Sequence, residues 1–167
     1  MQAGTTTGTY KAAVEVALGI AVLDTEKGVS EEGSDFRICL LKEEGQDKFS
    51  IPTKSVTERI GCLETLETMI YDWAILPPDA PKTITLQDVL EIETSGELDK
   101  SKERKIVLVY TLFITNGHHH VLEDRLVPLN LNEFSNALFS EDSKFKENHH
   151  QIATAAFVRQ NHGRQEL

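Results

Sequence analysis

The chain has 167 residues, 40% hydrophobic content and no internal shift in composition, which together indicate one domain with a substantial core. Acidic residues outnumber basic residues by 27 to 17, and the formal net charge is −10. This balance argues against a general binder of nucleic acid or anionic membranes, because phosphate surfaces require an excess of Lys and Arg. No run approaches the ~20 apolar residues that cross a bilayer, so we expect a cytoplasmic protein.

The first predicted strand spans residues 11–24 and follows a flexible N-terminal arm at residues 1–10. It is apolar almost throughout, which is typical of a strand covered on both faces. One face of the strand has bulky side chains, whereas the other carries small residues and one carboxylate. The small-residue face either lets a helix or another strand approach closely or leaves room for a ligand. That carboxylate, Glu15, is a candidate catalytic residue because a part-buried carboxylate is costly unless paired. The alternative is a solvated side chain at the strand entrance.

Two shorter strands, at residues 36–42 and 48–52, flank a polar turn, so we expect them to pair antiparallel. Cys39 and Cys62 fall in apolar segments and are expected to be small buried thiols. A loop then leads to an amphipathic helix that begins near Gly61 and ends before a proline-rich segment. The predicted apolar stripe of this helix consists of Leu63, Leu66, Met69, Ile70 and Trp73.

The second half of the chain is predicted to hold three strands followed by two helices. Its elements are, in order, a strand at 83–94, a strand at 105–115, its hairpin partner at 118–127, a short helix at 129–139 and a last helix at 145–160. The strand at 105–115 is strongly apolar and should be central. Asn116-Gly117 is the hairpin signal, and Asn132 with Glu133 indicates a helix cap. We predict one domain over residues 11–160, followed by a C-terminal tail at 161–167.

Three acids on the predicted helix, Glu64, Glu67 and Asp72, are candidate catalytic carboxylates. Glu64 and Glu67 share a helix face, but at ~100° per residue the trio spreads over ~140°. Because magnesium is held by clustered oxygen ligands, this spacing favours at most one weak site and no multi-metal site. The alternative is that these acids form a solvated helix face. We therefore expect that no metal or cofactor is required.

His118 and His120 are further candidate catalytic residues, because alternation places both on one face of a strand. Neutral imidazoles suit acid/base chemistry near pH 7, and the alternative is an exposed hairpin tip. His149 and His150 are expected to be solvated. The candidate substrate-binding residues are two cations near the loop, Lys54 and Arg59, and two tyrosines, Tyr71 and Tyr110. The alternative for the tyrosines is a place in the core.

The order of strand, "IP" loop, helix, long strand hairpin, "VPLNLNEF" segment and terminal helix resembles the Nudix hydrolase superfamily over residues 11–160. The resemblance implies an α/β (α+β) fold in which a mixed β-sheet is sandwiched between helices. Nudix hydrolases carry a loop-helix box, G-x5-E-x7-R-E-U-x-E-E-x-G-U. Its glutamates bind magnesium and help to hydrolyse a diphosphate linkage.

The resemblance also implies that this box is degenerate in the present chain. The register follows from placing Met69 at the first apolar position of the box. Thr53 then stands at the first glycine, Arg59 at the first glutamate and Glu67 at the arginine. The three following carboxylate positions hold Thr68, Tyr71 and Asp72, of which only Asp72 is acidic.

Three functional hypotheses follow. The first is a divergent Nudix-fold enzyme that acts on a small organic molecule by acid/base chemistry of the isomerase, cyclase or lyase type, without a metal-diphosphate site. The second is a magnesium-dependent hydrolase of a diphosphate-linked compound. The third is a non-catalytic binding or scaffolding module. The predicted partner is a small-molecule ligand, with no nucleic acid and no membrane, and a homodimer is an open alternative.

Overall fold

The computed structural model describes residues 13–24, 35–74, 82–95, 102–115 and 124–158. These residues follow the predicted order of strands, a helix, strands and then helices. The elements are, in chain order, β1 Ala13–Asp24, β2 Asp35–Leu41, β3 Thr53–Ser55, α1 Cys62–Trp73, β4 Lys82–Ser95, β5 Lys102–Thr115, β6 Leu126–Leu129, α2 Leu131–Leu138 and α3 His149–Ala153, which continues as a π-helical segment, Thr154–Val158.

The strands form one mixed sheet with β1 at its centre, in the order β4-β5-β1-β2-β6. β1 runs parallel to β5 along its length, from Ala13 opposite Lys105 to Leu23 opposite Thr115. The other edge of β1 is divided between two antiparallel partners: β3 pairs with Glu15–Ala17, and β2 pairs with the segment from Ile20 onward. The apolar run of β1 is therefore enclosed by strands on both edges.

Helices cover both faces of this sheet, which confirms the predicted mixed sheet between helices. On one side, here called the α1 face, the bulky residues of β1 pack with Leu66 and Met69 of α1. On the other side, the α3 face, the small residues of β1 pack with Phe134 of α2 and Phe157 of the π-helical segment. The side chains of Val16 to Ile20 are completely buried apart from the glycine at 19, so the prediction of a doubly covered strand is confirmed.

The small residues of β1 allow the last helix to approach the sheet closely. A Cβ added at Gly19 would lie 2.9 Å from Phe157 Cζ and 3.0 Å from Ala156 Cβ. The hydroxyl of Thr111 on β5 donates to the carbonyl of Ala156 at 3.0 Å, which holds the helix backbone against the sheet. The sequence left two alternatives for this face of β1, the close approach of another element or room for a ligand. At Gly19 the structure shows the close approach of the last helix.

One predicted strand pairing is wrong, and a second is reduced to a single antiparallel bridge. The described part of the segment 118–127 does not pair with β5, because both edges of β5 are occupied by β4 and β1. Instead, β6 pairs antiparallel with β2, with Leu126 opposite Leu41. In the predicted strand at 48–52, only Ser50 pairs with Leu41, and the strand of this region is the exposed β3. A short polar strand offers no apolar alternation from which to predict it.

The helices lie where the sequence predicts them, but their buried residues, caps and boundaries differ from the prediction. α1 begins directly after Gly61. Of the predicted stripe, Leu66 and Met69 are buried but Leu63 is 68% exposed, and Thr65, which was not predicted, is also buried. The hydroxyl of Thr65 is satisfied by the carbonyl of Gly61 at 2.9 Å. The cap of α2 is Asn130, which exchanges hydrogen bonds with Glu133 in a capping box. α3 begins later than predicted, at His149.

The cysteines differ from each other. Cys39 is buried in β2 as predicted, and burial raises the pKa of its thiol to about 12, so it remains a neutral core group. Cys62 is only half-buried at the first position of α1, so its predicted burial is wrong. Both are free thiols.

Candidate functional site

Lys54 and Asp72, two of the predicted site residues, are brought together where β3 meets α1. Lys54 lies opposite Val16 in the sheet, so its side chain is on the α1 face. Its Nζ lies 3.9 Å from Oδ2 of Asp72, and both side chains are about half exposed. This contact is a solvated ion pair, and the surrounding water screens most of the attraction between the two charges.

The other predicted residues of α1 and its preceding loop face solvent. Glu64, Glu67 and Arg59 are exposed, and Tyr71 is 70% exposed, so the alternative of a core tyrosine is wrong at this position. Within the described residues, no three His, Cys, Asp or Glu side chains are grouped so that they could hold a metal ion. The described part of this surface is therefore a solvated helix face, and its ion pair joins Lys54 to Asp72.

Glu15 lies on the other side of the sheet from these residues. It is adjacent in sequence to Val16 and therefore points to the α3 face. Its Oε2 lies 3.1 Å from Nζ of Lys105, and its side chain is 18% exposed, so the alternative of a solvated carboxylate is wrong. Because the sheet separates Glu15 from Glu64, Glu67 and Asp72, the predicted catalytic carboxylates do not belong to one site.

His149 is a half-buried histidine whose role the sequence did not indicate. Its Nδ1 accepts a hydrogen bond from the backbone N–H of Ile51 at 2.9 Å, so the expectation that it is solvated is wrong. Burial lowers the pKa of His149, as does the charge of Lys146, while Glu15 opposes the shift. Since Nδ1 is occupied, the neutral ring carries its proton on Nε2 and fixes the start of α3 to the segment before β3.

Tyr110 lies beside an uncovered apolar part of the α1 face. It is half-buried on β5 and lies opposite Leu86 of β4. α1 packs over β1 and β3, whereas three aliphatic side chains of β4 remain exposed: Ile84 at 40%, Leu86 at 48% and Val89 at 52%. We call this surface the β4/β5 shelf, and its members are Ile84, Leu86, Val89, Leu108 and Tyr110. His118 and His120 lie outside the described residues.

Comparison with known proteins identifies the fold. No protein-family model and no curated protein matches the chain. Among solved structures, a candidate asymmetric diadenosine tetraphosphate hydrolase from Jonesia denitrificans matches at 15% identity and a TM-score of 0.57, covering 90% of this chain and 95% of that one. A candidate NUDIX hydrolase from Listeria monocytogenes matches with the same coverage, at 9% identity and a TM-score of 0.55. The chain has a Nudix-like fold.

A third similar structure is NrtR of Shewanella oneidensis, at 9% identity and a TM-score of 0.56. The match covers 90% of this chain but only 64% of NrtR. NrtR also matches in a complex with a 27mer DNA, at a TM-score of 0.53. At this identity the likeness concerns the Nudix fold alone, so the absence of a nucleic-acid partner stays a prediction that rests on charge. No described helix is long and apolar enough to span a membrane.

The Nudix-like fold implies magnesium, and the described residues do not fit a multi-metal site. Glu64 and Glu67 are exposed on α1, Asp72 is turned toward Lys54, and no three acids or histidines of the described residues are grouped as metal ligands. Met69 is 1% exposed, so the helix phase from which the register of the box was predicted is correct. The assignment of individual box positions stays a prediction. Tyr71, predicted to replace a box carboxylate, presents an aromatic ring to solvent.

Proposed function

We propose that this Nudix-fold protein binds a small, uncharged organic molecule on the β4/β5 shelf, without metal-diphosphate chemistry. The observation that carries the proposal is the exposure of Ile84, Leu86 and Val89 beside the half-buried Tyr110. Contiguous exposed aliphatic side chains mark binding surfaces, because leaving them in water costs ~25 cal/mol per Å². Tyr110 adds an aromatic face and a hydroxyl that can orient a ligand.

Binding is proposed here without a catalytic step. Glu15, the acid with the most protected side chain among the predicted catalytic residues, is paired with Lys105 on the opposite face of the sheet. A general base must lie within hydrogen-bond reach of the proton that it abstracts, and Glu15 lies on the other side of the sheet from the shelf. The Nδ1 lone pair of His149 is occupied by the N–H of Ile51, which leaves this ring a structural acceptor. Tyr110 is the predicted site residue that lies on the shelf, in a substrate-binding role.

The ligand proposal is tested with 2-naphthol as an uncharged aromatic probe. Titration into ¹⁵N-labelled protein should shift the amide signals of β4 and β5. Leu86→Asp should weaken the affinity about tenfold, since it removes roughly 1.4 kcal/mol of apolar contact. Tyr110→Phe should weaken it a few-fold if the hydroxyl donates a hydrogen bond.

The matched control is Leu131→Asp, which places the same charge on an exposed leucine of α2. This variant should bind 2-naphthol like the wild type. Equal weakening by Leu86→Asp and Leu131→Asp, or signal shifts centred away from β4 and β5, would refute the shelf as the ligand site.

The second candidate is magnesium-dependent hydrolysis of a diphosphate-linked compound. It is favoured by the fold similarity to a candidate diadenosine tetraphosphate hydrolase and a candidate NUDIX hydrolase. Its residues would be Glu64, Glu67 and Asp72, with Lys54 and Arg59 as cations. Because the three acids are exposed and do not form a group of three ligands in the described structure, we expect no stoichiometric metal binding.

Calorimetric titration of Mg²⁺ and Mn²⁺ distinguishes the two candidates. Stoichiometric binding that is lost in both Glu64→Gln and Glu67→Gln, but kept in the exposed control Glu44→Gln, would establish the hydrolase candidate. The same result would refute our proposal that the protein works without metal-diphosphate chemistry, whatever the outcome of the 2-naphthol titration.

A further inference from the structure

The side of α1 that faces away from the sheet carries large apolar residues. Leu63 and Tyr71 of this helix are, together with Phe139, the most exposed large hydrophobic residues in the described part of the chain. Ile60, just before the helix, is also exposed. Single exposed apolar side chains are common, but several on one surface mark a place where another molecule binds.

Two acids share this surface with the apolar residues. At ~100° per residue, Glu67 and Tyr71 each lie ~160° around the helix from the buried Met69. Leu63, Glu67 and Tyr71 follow one another at intervals of four residues, so they form one ridge with the acid at its middle. Glu64 flanks this ridge. We call this surface the outer face of α1, and its members are Ile60, Leu63, Glu64, Glu67 and Tyr71.

The acids of the outer face are not neutralised within the described structure. In the part of the chain that the structure describes, neither Glu64 nor Glu67 forms an ion pair. The nearby Lys54 is engaged with Asp72, and Arg59 lies in the loop that precedes the helix. A molecule that covers this face must therefore supply positive charge, because a carboxylate that loses its water without gaining a counter-charge is costly.

We propose that the outer face of α1 binds a basic amphipathic helix of a partner protein. The ridge suits a helix, since side chains four residues apart pack into the groove between two such ridges of another helix. The partner places apolar residues against Leu63 and Tyr71, and a lysine or arginine between them against Glu67. The net charge of −10 also favours a basic partner, because it attracts positive charge from a distance.

A second copy of this chain fits the same surface poorly. A two-fold interface requires a surface that is complementary to itself. Pairing the ridges of two copies antiparallel sets Leu63 of one copy against Tyr71 of the other, but it brings Glu67 opposite its own counterpart. Like charges in contact destabilise an interface, so the acid at the middle of the ridge selects a different partner.

Two synthetic helical peptides of ~20 residues serve as probes. Both carry a leucine, a charged residue and a second leucine at intervals of four on one face, and the charged residue is lysine in one peptide and glutamate in the other. Binding to the intact protein is measured by the fluorescence anisotropy of a dye on the peptide. The wild type should bind the lysine peptide with a micromolar dissociation constant and the glutamate peptide about fivefold more weakly.

Exchanging the charge of the ridge is the decisive comparison. Glu67→Lys should reverse the order, so that this variant prefers the glutamate peptide about fivefold. Glu44→Lys makes the same change in net charge at an exposed acid outside α1 and should keep the preference for the lysine peptide. Leu63→Ala and Tyr71→Ala should each weaken binding of the lysine peptide about tenfold, whereas Leu131→Ala, at an exposed leucine of α2, should not.

The proposal is overturned if neither peptide binds at hundreds of micromolar, if Glu67→Lys keeps the wild-type preference, or if Glu44→Lys reverses it as well. A wild type that dimerises in sedimentation equilibrium, and loses the dimer in Leu63→Asp, would assign the outer face to a second copy and would also overturn it. None of these variants alters a shelf residue, so failure of the peptide test leaves the 2-naphthol test standing.

Discussion

The two faces of the sheet are closed in different ways. On the α3 face, β1 has small side chains, and the last helix lies so close that a methyl group at Gly19 would meet Phe157. On the α1 face, β1 has bulky side chains, and the helix covers β1 and β3 but leaves β4 exposed. The small residues of β1 therefore mark the closest helix packing, and the open surface of the α1 face lies on β4, beyond the reach of α1.

The largest expected effect concerns the closed part of the α1 face. Met69→Ala removes a 1% exposed side chain from the contact between α1 and β1 and should cost about 3 kcal/mol of unfolding free energy. Leu63→Ala, six residues earlier on the exposed side of the same helix, should change stability by less than about 0.5 kcal/mol. Urea denaturation of both variants measures the contrast, and similar losses would show that the helix phase is wrong.

Overpacking distinguishes the closed α3 face from the open shelf. Gly19→Val adds a side chain where Phe157 and Ala156 lie within 3.0 Å, and should cost about 2 kcal/mol. Val89→Ile adds a methylene group on the exposed shelf and should stay within about 0.5 kcal/mol of the wild type. A tolerated Gly19→Val variant would mean that the last helix can move away from β1.

His149 links the stability of the α3 face to pH. His149→Phe leaves the backbone N–H of Ile51 without its acceptor and should cost about 1 to 2 kcal/mol at neutral pH. Because the pKa of His149 is lowered in the folded state, the unfolded state binds a proton first as pH falls. The stabilising contribution is therefore complete above the ordinary histidine pKa, ~6.5, and is lost as pH falls through the lowered folded-state pKa.

Denaturation midpoints between pH 8 and pH 5 measure this dependence. His149→Gln keeps an acceptor near Ile51 but cannot titrate, so the part of the pH dependence that belongs to position 149 should disappear in it. An unchanged pH profile in His149→Gln would show that the wild-type loss arises from other groups.

The smallest expected effects concern the ion pairs on the two faces. Lys54 and Asp72 are 3.9 Å apart and half exposed, so a double-mutant cycle with Lys54→Ala and Asp72→Asn should give a coupling below about 0.5 kcal/mol. Glu15 and Lys105 are 3.1 Å apart and better protected, so the cycle with Glu15→Gln and Lys105→Ala should give about 1 kcal/mol. The reverse order would place the stronger electrostatic site beside α1.

Much of the fold could be predicted from local pattern. The apolar runs of β1 and β5 and the periodicity of α1 identify these elements because each depends on neighbouring residues along the chain. The partner of β6 could not be obtained in this way. Asn116-Gly117 indicates a turn, but it does not show which strand follows as a neighbour of β5. The edge of β5 that a hairpin partner would need is occupied by β1, whose residues are about 90 positions away in sequence.

The candidate site was less predictable than the fold for a similar reason. Alternation along β1 shows that Glu15 and Val16 point to opposite faces, but only the packing of α1 on the face of Val16 separates Glu15 from the acids of that helix. The acceptor role of His149 depends on Ile51, 98 residues away in sequence. The sequence next to His149 contains no signal of this contact.

The parallel pairing of β1 with β5 has a consequence for synthesis on the ribosome. Ala13 has no β5 partner until Lys105 has been made, and that strand is needed to enclose the most apolar run of the chain. At 5 to 20 residues per second, β1 waits on the order of ten seconds for its neighbour. During this interval the β5 edge of β1 stays unpaired, so the nascent chain exposes an aggregation-prone strand.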